Sequence, residues 1–125
     1  MLSKNIKCTH RSCPVFLTLE LLANKWSIQL LAEFLQTPDQ TIRFNALLRA
    51  MEGITQGQLT KNLRRFEESG LLTRTIYPEI PPRVEYQLTS LGASLSIPIN
   101  ALSAWAEKHG AEVQQKRTDF AEIRV

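Results

Sequence analysis

Apolar residues recur at helical spacing in successive stretches of this chain. Val15, Leu19 and Leu22, with Phe16 beside them, form a first apolar face. Pro14 suits the opening of that helix, because its missing amide would have no partner in the first turn. Asn24 is read as its left-handed stop. A second helix is expected over residues 25–35, where Trp26, Leu30, Leu31 and Phe34 keep the spacing, and the loop Thr37-Pro38-Asp39-Gln40 ends it. Phe44, Leu47, Leu48 and Met51 fit i, i+3, i+4, i+7 for a short helix stopped by Gly53. Leu59, Leu63 and Phe66 mark the next helix. Thr55 and Gln58 have the spacing of a capping box, so that helix starts near Gln56, and Gly70 is placed to end it in the left-handed conformation.

The period then shortens. Residues 71–77 and 84–88 are rich in β-branched and aromatic side chains and read as two strands, joined by a loop containing Pro78, Pro81 and Pro82. Thr41-Ile42-Arg43 is too short to stand alone but could add a third strand. Thr89 is expected to cap a last helix carrying Leu91, Leu95, Ile99, Leu102, Trp105 and Val113, with Pro98 predicting a kink or a restart. Two short helices meet across Glu52-Gly53-Ile54-Thr55, which is a helix-turn-helix arrangement with the second helix as the reader. A strand pair with a stiff projecting loop follows it, as a wing does. The fold class is therefore mainly α with a small β-hairpin wing. Residues 1–12 read as a flexible polar arm, and residues 13–125 as the winged domain with its C-terminal helix.

Composition changes this picture little. The chain has 125 residues, 43% of them hydrophobic, which fits one globular domain. A formal net charge of +3 leans toward a polyanionic partner. Residues 4–23 resemble a secretory signal only superficially, because Glu20 interrupts the apolar run and no small-x-small site follows. We expect a cytoplasmic chain with no membrane association. Two cysteines in a reducing compartment argue against a permanent structural disulfide. Cys8, His10 and Cys13 lie close together but lack a fourth ligand, since the only other histidine is His109 on the far helix, so no metal or other cofactor is expected. There is no P-loop, no nucleophile elbow and no H-E-x-x-H. An enzyme would have to rest on the cysteines alone, as a small thiol peroxidase or reductase, and there is no C-x-x-C to support one.

The face of the reading helix turned from the core carries Gly57, Thr60, Lys61 and Arg64, with Arg65 at its edge and Gln56 and Gln58 near its start. These are donors suited to a DNA groove. The competing reading is a solvated face on which Arg64 pairs with Glu67 or Glu68. Arg83 at the base of the wing could reach a phosphate or the minor groove, or pair with Glu79 or Glu85 across the hairpin. Trp26 and Trp105 are read as core or interface anchors. The apolar residues of the last helix run further than so small a domain can cover, which predicts a homodimer on a pseudo-palindromic operator.

Several short motifs carry a resemblance: Cys13-Pro14-Val15, Lys25-Trp26, Arg43-Phe44, Gly53-Ile54-Thr55, Ser69-Gly70-Leu71, and above all Pro81-Pro82-Arg83-Val84-Glu85-Tyr86. The chain resembles the HxlR-type winged-helix transcriptional regulators of bacteria, from about Cys13 to Trp105. That resemblance implies a homodimer that binds operator DNA and pairs through its first and last helices, with Phe16, Leu95, Ile99, Leu102 and Trp105 at the interface. We also count Arg43 and Thr55 with the DNA-binding residues, and expect a repressor. Two positions depart from the family pattern: Gly57 stands where members carry a larger residue, and Leu22-Ala23-Asn24 replaces a glycine pair.

Some members of that family resemble thiol sensors that use the cysteine matched by Cys13. The residues add their own argument, because Cys13 precedes a helix start and shares its arm with Lys7, His10 and Arg11, all of which favour the reactive thiolate. An oxidant or small-molecule inducer would act there, with Cys8 as a resolving partner. The other readings are a winged-helix module meeting an acidic protein, and the thiol enzyme.

Overall fold

The computed structural model describes residues 14–123, so Cys8, Cys13 and the arm before them lie outside the described residues. Helices α1 (Pro14–Leu22) and α2 (Ser27–Gln36) precede a strand β1 (Thr41–Arg43). Then come α3 (Phe44–Ala50), α4 (Gln56–Glu68), and the strands β2 (Leu72–Tyr77) and β3 (Arg83–Leu88). The chain ends in α5 (Ser90–Ser94) and α6 (Ser96–Ile123). It divides into two compact units, one running to Ala93 and the other starting at Ser94.

The three strands form one antiparallel sheet in the order β1-β3-β2. Thr41-Ile42-Arg43 does join the hairpin, with Ile42 opposite Tyr86 and Arg43 opposite Glu85. The Leu88 amide extends this edge by donating to the Gln40 carbonyl at 2.9 Å. To present that carbonyl, Gln40 takes a φ of 57°. The core of the first unit lies between the helices and the sheet. Leu30, Leu31 and Phe34 of α2, Leu47 of α3, and Leu59, Leu63 and Phe66 of α4 have no exposed surface, and Leu72, Tyr86 and Leu88 close it from the sheet. Each such apolar side chain contributes about 1.5–3 kcal/mol by leaving water.

Two local expectations differ from the structure. Asn24 is not left-handed: its side-chain oxygen accepts from the Trp26 amide at 2.9 Å, which turns the chain without a positive φ and delays α2 to Ser27. The last helix is not one helix. Thr89 does cap, its hydroxyl accepting from the Gly92 amide at 3.0 Å, but the helix it opens is α5 and stops at Ser94. Gly92 is held against the preceding chain so closely that a Cβ there would overlap the Leu71 carbonyl oxygen. The restart predicted from Pro98 occurs at Ser96, which places the proline in the first turn of α6, where amides have no intrahelical partner.

Candidate nucleic-acid interface

The turn between α3 and α4 is built from backbone bonds that need one glycine. Met51 donates to Leu47 and Ile54 donates to Met51, with Gly53 between them at a φ of 90°. Ile54 is buried, and the edge of the Trp26 ring lies 3.8 Å from where a Cβ on Gly53 would stand. Trp26 thus anchors the turn within this chain.

From that turn α4 starts under a complete capping box. The Thr55 hydroxyl accepts from the Gln58 amide at 3.1 Å, and the Gln58 side-chain oxygen accepts from the Thr55 amide at 2.9 Å. Gln58 is therefore occupied at the cap. The far end closes as a Schellman motif: Gly70, at a φ of 78°, donates to Glu67, and Leu71 donates to Phe66. Both ends are fixed by local bonds, so the direction of the helix is set by its buried stripe.

Gln56, Gly57, Thr60, Lys61 and Arg64 are all exposed and together line an open hollow of about 510 Å³ on the outer face of α4. A Cβ on Gly57 would meet nothing within 4 Å, so the glycine leaves backbone accessible at the start of the helix. Among the described residues neither Lys61 nor Arg64 forms an ion pair; Glu67, the expected partner of Arg64, is 3.6 Å from Arg74 on β2 instead. The two cations on the outer face are therefore free to meet an external anion.

Arg65 is turned the other way. Its guanidinium donates to the Ser27 hydroxyl at 2.7 Å and to the Asn62 side-chain oxygen at 3.0 Å. Asn62 in turn donates to the Gln58 carbonyl at 2.7 Å. Ser27 and Asn62 are both buried, so Arg65 ties the back of the reading helix to the start of α2. The sequence reading placed Arg65 at the edge of the outer face and missed the tie. The signal was present, because Asn62 follows Leu59 by three and Arg65 follows Asn62 by three, on the inner side of the helix.

Arg83 is also engaged. It lies 3.2 Å from Glu79 in the wing loop and 3.4 Å from Glu85 on its own strand, with its guanidinium 4.0 Å from the centre of the Tyr77 ring. Both pairings weighed from the sequence are present at once, so in this structure Arg83 braces the wing. Arg43 points a mostly exposed side chain toward Glu85 at 3.7 Å. Behind them Tyr86 is buried, and that burial, the largest cause, raises its phenol above the usual value of 10.0; Arg74 and Arg64 oppose the rise and Glu67 adds to it.

The residues expected at a dimer interface fall in two groups. Phe16, Leu95 and Ile99 are half-buried, whereas Leu102 and Trp105 are 54% and 58% exposed. Trp105 contacts the ring of His109 at 5.1 Å and anchors nothing in the core. Among the described residues no group of His, Cys, Asp and Glu could hold a metal, and no helix is long and apolar enough to cross a membrane.

A capped helix with an open cationic face, following a glycine turn and preceding a braced hairpin, is a winged helix-turn-helix. Known proteins agree with that geometry. An HTH-type transcriptional regulator of Methanothermobacter thermautotrophicus is 38% identical over 99 residues, 79% of this chain and 73% of that protein. The solved structure of the transcriptional regulator YtfH from Salmonella typhimurium matches with a TM-score of 0.72 at 32% identity, covering 90% of this chain and 98% of that one. The redox regulator HypR in its reduced form matches with a TM-score of 0.71 at 33% identity, covering 82% and 98% of the two chains. Its oxidised form matches at 0.65 and 36%, covering 77% and 96%. The HxlR-like helix-turn-helix pattern itself spans residues 21–114, and the chain belongs to that family of DNA-binding transcriptional regulators.

Proposed function

We propose that this regulator is a cytoplasmic homodimeric repressor that reads a pseudo-palindromic operator, with Gln56, Gly57, Thr60, Lys61 and Arg64 entering the major groove. The observation that carries this reading is the unpaired cationic face of α4. Arg64 and Lys61 have the reach for base edges or phosphates there. Thr55 and Gln58 fix where the helix begins, Arg65 sets its tilt from behind, and Arg43 and Arg83 flank the wing. For Arg83 to meet a phosphate, its ion pairs with Glu79 and Glu85 must open.

Repression would respond to oxidants or electrophiles through Cys13, with Cys8 resolving. Two facts support this part: the likeness to HypR, which is a redox regulator with reduced and oxidised forms, and the position of Cys13 beside Pro14, the first residue of α1. A thiolate there gains from unpaired helix amides.

The test is fluorescence anisotropy with a duplex selected from random sequence. Lys61→Ala and Arg64→Ala should each weaken binding, and each lost phosphate contact should lower the salt slope by about one unit. Unrelated duplex competing as well as the selected one across the whole salt range would overturn the reading in favour of an acidic protein partner. Diamide should release the duplex from the wild type and not from Cys13→Ser.

A further inference from the structure

A second cleft, of about 560 Å³, opens between α3 and the β2–β3 hairpin, and no residue of the reading helix lines it. Its size falls within the roughly 300–1,000 Å³ of small-molecule sites. We propose that this cleft binds a small organic anion, an aryl monocarboxylate, which acts as an effector on the wing.

Charge gives the first argument. Arg43, Arg49, Arg74 and Arg83 all line the cleft, which draws them from the β1–α3 segment and both hairpin strands. Their carboxylate partners are Glu85, Glu67 and Glu79. Four guanidinium charges are thus set against three carboxylates, of which Glu79 alone lines the cleft. The one in excess is Arg49, which among the described residues has no ion pair and is exposed on α3. A single negative charge neutralises the site.

The walls give the second. Phe44 and Val84 are half-buried apolar surfaces within the cleft, and Ile80 at its rim is fully exposed, with Pro81 next to it. A phosphate of the DNA backbone would need the donors but has no use for apolar walls. A flat apolar body attached to the carboxylate uses both, which favours a small amphipathic anion over the DNA backbone.

The position of the site gives it a consequence. Glu79 belongs to the wing loop and is held by Arg83 at 3.2 Å. A carboxylate entering beside these arginines competes with Glu79 and slackens the hold of Arg83 on the loop. The wing then loses its fixed geometry and DNA affinity falls. This regulatory half rests on the DNA-binding reading above; occupancy of the cleft does not.

The experiment uses the full chain with 2-naphthoate as probe, and 2-naphthalenemethanol and inorganic phosphate as controls, followed by calorimetry and by amide chemical shifts. Naphthoate should bind and shift Phe44, Arg49 and Val84, and Arg49→Gln should weaken it about tenfold, as expected for one charge-assisted hydrogen bond. No binding at millimolar naphthoate, or equal binding of the alcohol or of phosphate, would overturn the site. In anisotropy without ligand, Arg49→Gln should bind the selected duplex like the wild type; a weakened variant would assign Arg49 to a DNA phosphate and overturn the proposal. Naphthoate should then release DNA from the wild type, with about ten times the concentration needed for the variant, and release from neither would overturn the effector role. Failure of the unliganded wild type to bind any duplex is a separate result, and would count against the regulator reading alone.

Discussion

Tyr86 shows how one buried position reports on the fold around it. Its phenol is raised above the usual value by burial, so the folded chain holds the proton more tightly than the unfolded chain does. The sign follows from that difference. The contribution is fully present below the unfolded value near 10 and is lost as pH rises through the folded value. Tyr86→Phe should therefore flatten the alkaline fall in stability, measured by urea unfolding at rising pH. Identical alkaline limbs for the two proteins would mean that the phenol leaves the sheet before it ionises. The tie from Arg65 to Ser27 and Asn62 belongs to the same scale, and only its local half, the spacing of Arg65 from Asn62, was legible beforehand. Arg65 and Ser27 are 38 residues apart, and nothing local in the sequence distinguishes an arginine aimed at a distant serine from one aimed at water.

At the scale of elements, what was legible is what local chemistry settles. Helix α4 could be placed to the residue because its cap, its stripe and its glycine stop all lie within sixteen positions of one another, from Thr55 to Gly70. Strand β1 was legible only as a candidate, since three residues have no meaning until β3 supplies the partner. Asn24 misled because an asparagine can turn a chain either by its own φ or by its side chain, and the neighbouring Trp26 amide took the side chain. The outer face was legible as a set, but which of its cations are free was not, because that depends on Arg74 taking Glu67 from another element. Since the capping box fixes the start of the reading helix, Thr55→Ala should cost about 1 kcal/mol of stability and fray the turn that presents Gln56 and Gly57. Denaturant titration checks this, and the prediction fails if the midpoint is unchanged.

For the whole molecule, the apolar residues of α1 and α6 exceed what a single chain covers. Val15, Leu17 and Leu19 on α1 are exposed, α6 contains no buried residue, and Leu102 and Trp105 remain more than half accessible. The proposed homodimer would cover them with a second copy of the same helices. Sedimentation should give twice the chain mass of 14.2 kDa, and Trp105→Asp should return it to the single mass and weaken operator binding. A single-chain mass for the wild type at micromolar concentration would exclude the paired arrangement, and with it two reading helices set about 34–36 Å apart. The division of labour on α4 carries a consequence of another kind. Leu59, Leu63, Phe66 and Arg65 hold the helix from behind, while Gln56, Gly57, Thr60, Lys61 and Arg64 are all exposed on its outer face. If these five side chains read the operator as proposed, specificity diverges without a loss of folding: duplicated copies of such a gene are then free to drift to new operators by exchanging a few surface side chains, and a laboratory library varied at those five positions should consist largely of folded proteins.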